Sequence, residues 1–201
     1  MSNLELPVPE LSLVVLIGVS GSGKSTFAAD RFGRYEVISS DTCRGLVSND
    51  ENNQAATAEA FDLLATIVGK RLSAGLLTVV DATSVQREAR AQLVKLARDH
   101  DVLPVAIVLN VPKKICLERT VARADRDFGE RVIHRQSEQL RRSLKGLARE
   151  GFRKVHVLDS VAEVEQATIV RERLLNNKKH ESGPFDVIGD VHGCRSELET
   201  C

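Results

Sequence analysis

Between Gly18 and Ser25 the chain reads GVSGSGKS, a glycine-rich octapeptide closed by a lysine and a serine. Residues of these types at this spacing suit a phosphate. Glycines let the backbone curl until its N–H groups face inward, the lysine places a cation on β- and γ-phosphates, and the serine hydroxyl is offered to Mg2+. On this reading Gly18, Ser20, Gly21, Ser22, Gly23, Lys24, Ser25 and Thr26 contact a nucleoside triphosphate. The loop follows an apolar run and opens a helical pattern, so a helix N-terminus adds positive potential there.

Three further groups could share that site. SSDTCRG (39–45) carries Asp41, able to accept a hydroxyl proton, and Arg44 one helical turn later, able to hold an acceptor's own phosphate. Asp41 could equally cap a short helix, with Arg44 solvated. VVDATS (79–84) ends in an apolar run with Asp81, which could hold Mg2+ through water or cap the next helix. The segment 116–136 is dense in arginine: Arg119, Arg123, Arg126, Arg131 and Arg135. Arg119 and Arg126 lie two helical turns apart and could close over a triphosphate as part of a lid. A solvated charged face is the plainer reading, supported for some of these arginines by Glu118, Asp125, Asp127 and Glu130.

The elements needed to position these residues are legible as an alternation. Strands are expected at Leu13–Gly18, Tyr35–Ser39, Leu76–Asp81, Leu103–Val111 and Lys154–Asp159. Helices are expected at 54–74, 85–100, 113–124 and 130–149. In the first of these, Phe61, Leu64, Ile67, Val68 and Leu72 recur on one face. Strands alternating with helices predict an α/β fold, a doubly wound parallel sheet of the P-loop NTPase, small-kinase-like kind, with a helical lid bearing arginines. Ligands of such sheets collect at the carboxyl ends of the strands, where Asp41 and Asp81 fall.

Composition narrows the partners. The 201 residues carry 28 basic and 28 acidic side chains, so no whole-chain field attracts a nucleic acid. A polyanion would have to meet a local patch. Aromatics at 3%, with no Trp, exclude an extended base-stacking platform. Cys43, Cys116, Cys194 and Cys201 form no C-x-x-C pair, and a reducing cytoplasm is expected. The acidic start MSNLELPVPE lacks the pattern of a leader, and no apolar run is long enough to span a bilayer. A guanine-reading N-K-x-D is absent, which argues against a switch GTPase.

NNKKHESGP (176–184) is a polar break, read as a linker. Beyond it FDVIGDVHGC (185–194) resembles a strand that delivers an aspartate and a histidine to a metal. Together, GVSGSGKSTF, SSDTCRGL, VVDATS and ERTVARADR resemble the kinase module of bacterial polynucleotide kinase-phosphatases, RNA end-healing enzymes, over roughly residues 11–175. The resemblance implies transfer of the γ-phosphate of ATP or another NTP to 5′-OH ends of RNA or DNA, with Mg2+ or Mn2+. Lys24 and Ser25 would bind phosphates and metal, Asp41 would be the general base, Arg44 would hold the nearest substrate phosphate, and Arg119 and Arg126 would clamp the donor. It also implies that residues 185–201 begin a metallophosphoesterase domain cut short here, in which Asp190 and His192 are early metal ligands of an intact domain. Other repair domains or proteins, and a homodimer, are the implied partners. A small-metabolite kinase of gluconate or adenylylsulfate type shares loop, fold and lid. A nucleotide-dependent binding module without phosphotransfer is the alternative from another class.

Overall fold

The computed structural model describes residues 4–122, 129–174 and 182–184. β1 (Leu4–Pro9) and β2 (Ser12–Gly18) lead through the glycine-rich loop into α1 (Lys24–Arg31). β3 (Val37–Ser39) runs directly into α2 (Ser40–Ser48), and α3 (Thr57–Ser73) returns to β4 (Thr78–Asp81). α4 (Arg87–Asp99), β5 (Leu103–Leu109), α5 (Lys113–Val121) and α6 (Glu130–Leu144) follow, then β6 (Lys154–Leu158), α7 (Val161–Gln166) and β7 (Ala167–Glu172).

Five strands form one parallel sheet in the order β3-β4-β2-β5-β6. β2 is central, and every residue of its SLVVLIG run is buried. A continuous apolar run is what a strand covered on both faces requires. The register sets Gly18 beside Leu109 and Asp81 beside Ser39. The carboxyl ends of β2, β3 and β4 therefore deliver the glycine-rich loop, the start of α2 and Asp81 to one edge of the sheet.

The helices pack by the expected periodicity. α3 buries Ala60, Leu64, Val68 and Leu72, one residue per turn. Phe61 and Ile67, expected on the same face, are only partly buried at its margin. α4 buries Leu93, Val94 and Ala97, and with them the whole of Arg90. That guanidinium donates from Nε and Nη2 to the Glu150 carboxylate at 2.6 and 2.7 Å, and from Nη1 to the carbonyls of Ser84 and Val85 at 3.0 and 2.7 Å. It thereby fastens the β4–α4 loop to the segment after α6.

The structure adds two strands that the sequence reading did not name and shortens two of the expected helices. The acidic start of the chain is a strand: β1 pairs in parallel with β7 as a second, two-stranded sheet, from Leu4 beside Ala167 to Pro9 beside Glu172. Its two prolines mask it in sequence, yet proline is tolerated on an edge strand because one side of the ladder is left unused. The expected helix 130–149 stops at Leu144; Gly146 breaks it, and Leu147–Arg149 make a separate turn. The expected helix 113–124 ends at Val121, and residues 123–128 lie outside the described residues. Among the described residues no helix is long and apolar enough to cross a membrane.

Candidate active site

The glycine-rich loop turns through two left-handed residues, Gly21 at φ 82° and Gly23 at φ 95°. Gly23 is also the residue before α1, so the helix begins where the loop closes. Gly21 has a second reason to lack a side chain. A Cβ there would strike the Cys116 carbonyl of α5 and lie 2.7 Å from Thr120 Oγ1. A Cβ on Gly18 would come within 2.7 Å of Ser22 Oγ. The loop is thus shaped by its own turn and by α5 pressed against it. Lys24 is buried, with Nζ donating to the carbonyls of Gly18 and Val19 at 2.9 and 3.1 Å.

β3 and α2 bring up the second group. Ser39, not Asp41, caps α2: its Oγ accepts from the Thr42 N–H at 3.4 Å. Both residue types are good caps. Ser39 wins because it is the extended residue just before the helix, while Asp41 already lies in the first turn. Asp41 faces Arg44 instead, whose Nη1 donates to its Oδ1 at 2.9 Å and to the Glu51 carbonyl at 2.7 Å. Arg44 is not solvated; it is buried, and its Nε has no partner among the described residues.

Asp81 is buried at the end of β4. It does not cap the next helix. α4 begins at Arg87 after Gln86, and no side chain caps it. Asp81, Lys24, Ser25, Asp41 and Arg44 border one cavity of about 500 Å3. Gln54, Thr57 and Phe61 close it from the α3 side, and Val132, Arg135, Gln136 and Gln139 of α6 cover it. A second cavity, of about 430 Å3, lies on the other flank of the loop. Thr26, Phe27 and Arg31 of α1, Arg119 of α5, and Val161 and Val164 of α7 border it. Gly21 and Gly23 touch both cavities, so the loop is the ridge between them.

Arg119 comes to the loop, its Nη1 within 3.4 Å of the place a Gly23 Cβ would occupy. Arg126, Asp190 and His192 lie outside the described residues. Arg31, unnoticed in the sequence, holds the end of α7 through the carbonyls of Ala167, Val164 and Glu165, and stacks on Phe27 with its guanidinium carbon 4.4 Å from the ring centre. Gln136 was also missed: its Oε1 accepts the Ser20 N–H at 2.9 Å. A polar helix face alone could not point to a partner 116 residues away.

The donors fit a magnesium ion. A serine hydroxyl and a carboxylate on one cavity are hard oxygen ligands, and Mg2+ takes few protein ligands and completes its shell with water and phosphate. Among the described residues no group of three or more His, Cys, Asp or Glu side chains gathers into a metal site.

A family model described as AAA domain matches residues 13–149. No curated protein sequence matches the chain significantly. Among solved structures, a chain of the Pnkp1/Rnl/Hen1 RNA repair complex superposes with a TM-score of 0.60 at 18% identity, over 69% of this chain and 46% of that one. A sugar kinase from Janibacter sp. HTCC2649 gives 0.52 at 21% identity, over 78% of this chain and 89% of that one. The AvrRxo1-ORF1:-ORF2 complex with ATP gives 0.52 at 15% identity, over 70% and 50%. This chain therefore spans about half the length of the repair-complex and AvrRxo1 chains, and the likeness to all three is one of fold.

Proposed function

Because this chain belongs to the AAA domain family, with a kinase-like P-loop fold, we propose that it is a polynucleotide 5′-hydroxyl kinase. It transfers the γ-phosphate of ATP or another NTP to the 5′-OH end of RNA or DNA. The observation that carries the proposal is the Asp41–Arg44 pair, set across one cavity from Lys24 and Ser25. A kinase needs a proton acceptor and an anchor for the substrate beside the phosphate being moved.

The donor triphosphate lies along the loop, with its nucleoside in the cavity flanked by Arg119 and Arg31. Lys24 takes the phosphates together with loop N–H groups between Gly21 and Thr26, and Ser25, with Asp81 through water, would hold a magnesium ion that would supply positive charge against the phosphoryl group being moved. Asp41 accepts the proton of the 5′-hydroxyl as its oxygen bonds to the γ-phosphorus and the bond to the departing diphosphate breaks. Arg44, which borders the cavity, offers its guanidinium to the nearest acceptor phosphate, a charge-assisted bond that a neutral acceptor could not return. Arg119, with Arg126 beyond the described residues, gathers charge on the donor.

We further propose that residues 1–175 form the kinase unit, 176–184 a linker, and 185–201 the start of a metallophosphoesterase, with Asp190 and His192 as ligands in an intact domain. The GDVHG motif at 189–193 is what supports that reading, and the fold likeness to a component of an RNA repair complex supports a partnership with other repair domains. A second reading, a small-metabolite kinase, is supported by the likeness to a sugar kinase over most of that enzyme's length.

The deciding assay is transfer of labelled γ-phosphate from ATP and Mg2+ to a 5′-OH RNA, a 5′-OH DNA, a 5′-phosphorylated control and a panel of sugars. Label on the 5′-OH strands alone supports the polynucleotide reading. Label on a sugar replaces it with the second.

A further inference from the structure

Gln136 is half-buried on the face of α6 that covers the larger cavity. Its carboxamide oxygen accepts from the backbone N–H of Ser20, in the middle of the glycine-rich loop. Loop N–H groups are the parts of such a motif that grip phosphate. Here one of them is claimed by a helix from the far side of the chain. The other end of α6 is tied down separately, through Ser143 Oγ to the Val85 carbonyl at 3.4 Å, on the same loop that Arg90 braces. The helix is therefore fastened at two points, one on the β4–α4 loop and one on the phosphate loop. Arg135 and Gln139 lie on either side of the second fastening and border the cavity that also contains Asp41.

We infer that Gln136 is a positioning residue for phosphoryl transfer: its carboxamide registers α6 on the phosphate loop at Ser20, and so sets Arg135 over the cavity shared by Lys24 and Asp41. The inference rests on the chain being a phosphotransferase, not on which acceptor it uses. A carboxamide suits the task. Its oxygen accepts the loop N–H, yet it brings no negative charge beside a triphosphate. A carboxylate of the same shape would accept the same N–H and repel the γ-phosphate. A thioether of similar length would fill the space and accept almost nothing.

Two variants of the full chain separate these properties. In Gln136→Met, hydrogen exchange at Ser20 and over the first half of α6 should quicken by about tenfold, the worth of one lost hydrogen bond. ADP affinity should stay within about twofold of wild type, while kcat for phosphate transfer falls about tenfold and KM for ATP changes little. Gln136→Glu should restore slow exchange at Ser20, yet weaken ATP by about tenfold more than ADP, because the added charge faces the terminal phosphate. Wild-type exchange in Gln136→Met, or equal losses for ATP and ADP in Gln136→Glu, overturns the inference. Exchange and nucleotide affinity need no acceptor, so a wrong choice of acceptor would show in the transfer assay and leave these readouts decisive.

Discussion

Arg44 grips Asp41 with one nitrogen only. Nη1 lies 2.9 Å from the carboxylate and 2.7 Å from the Glu51 carbonyl, while Nε stays buried and unpartnered among the described residues. A buried donor without a partner is costly unless something else meets it. The arrangement orients a carboxylate through a guanidinium held within one turn of helix.

On the proposed mechanism Asp41→Asn keeps the shape and most of the Arg44 contact, but cannot take a proton. We expect kcat for transfer to fall by about 100- to 10,000-fold, with ATP affinity close to wild type by calorimetry. Wild-type transfer by this variant would end the assignment of Asp41 as the base.

Gly21→Ala meets two penalties at once, a left-handed backbone at φ 82° and a Cβ driven against α5. Held in that conformation, the substitution should cost about 1–3 kcal/mol. A lowered Tm together with weakened ATP binding is the expected outcome. Unchanged values for both would mean that α5 does not shape the loop.

Arg90 and Glu150 make the most deeply buried ion pair among the described residues, with side chains 0% and 9% exposed. Glu150→Ala strands the guanidinium and should cost about 3–5 kcal/mol, read as a fall in Tm of roughly 2–4 °C per kcal/mol for a chain of this size. The double variant Arg90→Met, Glu150→Met should recover much of that loss. A single variant as stable as wild type would show that the brace carries no weight.

His156 joins β6 to β1 through the Pro7 carbonyl at 3.1 Å, and burial holds its pKa below the usual histidine value. The unfolded chain takes up that proton at about pH 6.5, while the folded chain resists until lower pH. Below the unfolded value the unfolded state therefore binds more protons, and stability falls as pH drops. Tm should decline as pH falls from about 7.5 to about 5.5, and His156→Gln should flatten that stretch of the curve. An identical slope in the variant would place the pH dependence on other groups.

Much of this was legible in the order of residue types. The octapeptide, the buried strands and the amphipathic helices declare themselves through period and spacing, which are local properties. What escaped was decided by partners distant in sequence. Ser39 and Asp41 are equally plausible caps until the backbone angles choose between them. The burial of Arg44 depends on a carbonyl seven residues on, at Glu51. Arg31 and Gln136 sit on helix faces that look merely polar, and their meaning comes from the carbonyls of α7 and the N–H of Ser20. β1 carries two prolines, and only its pairing with β7 makes it a strand.

That pairing also sets how the fold would bear a load. β1 and β7 run in the same direction, so a pull applied at Leu4 and at Glu172 draws on opposite ends of adjacent strands. The six paired positions would then slide against one another and resist together, instead of separating in turn as the teeth of a zipper do. Outside that pair, Lys154–Glu172 and Glu36–Arg171 anchor β7 to the body of the protein. The small sheet is a mechanical clasp: tension on the chain from these two points is taken up at the clasp before it reaches the phosphate loop.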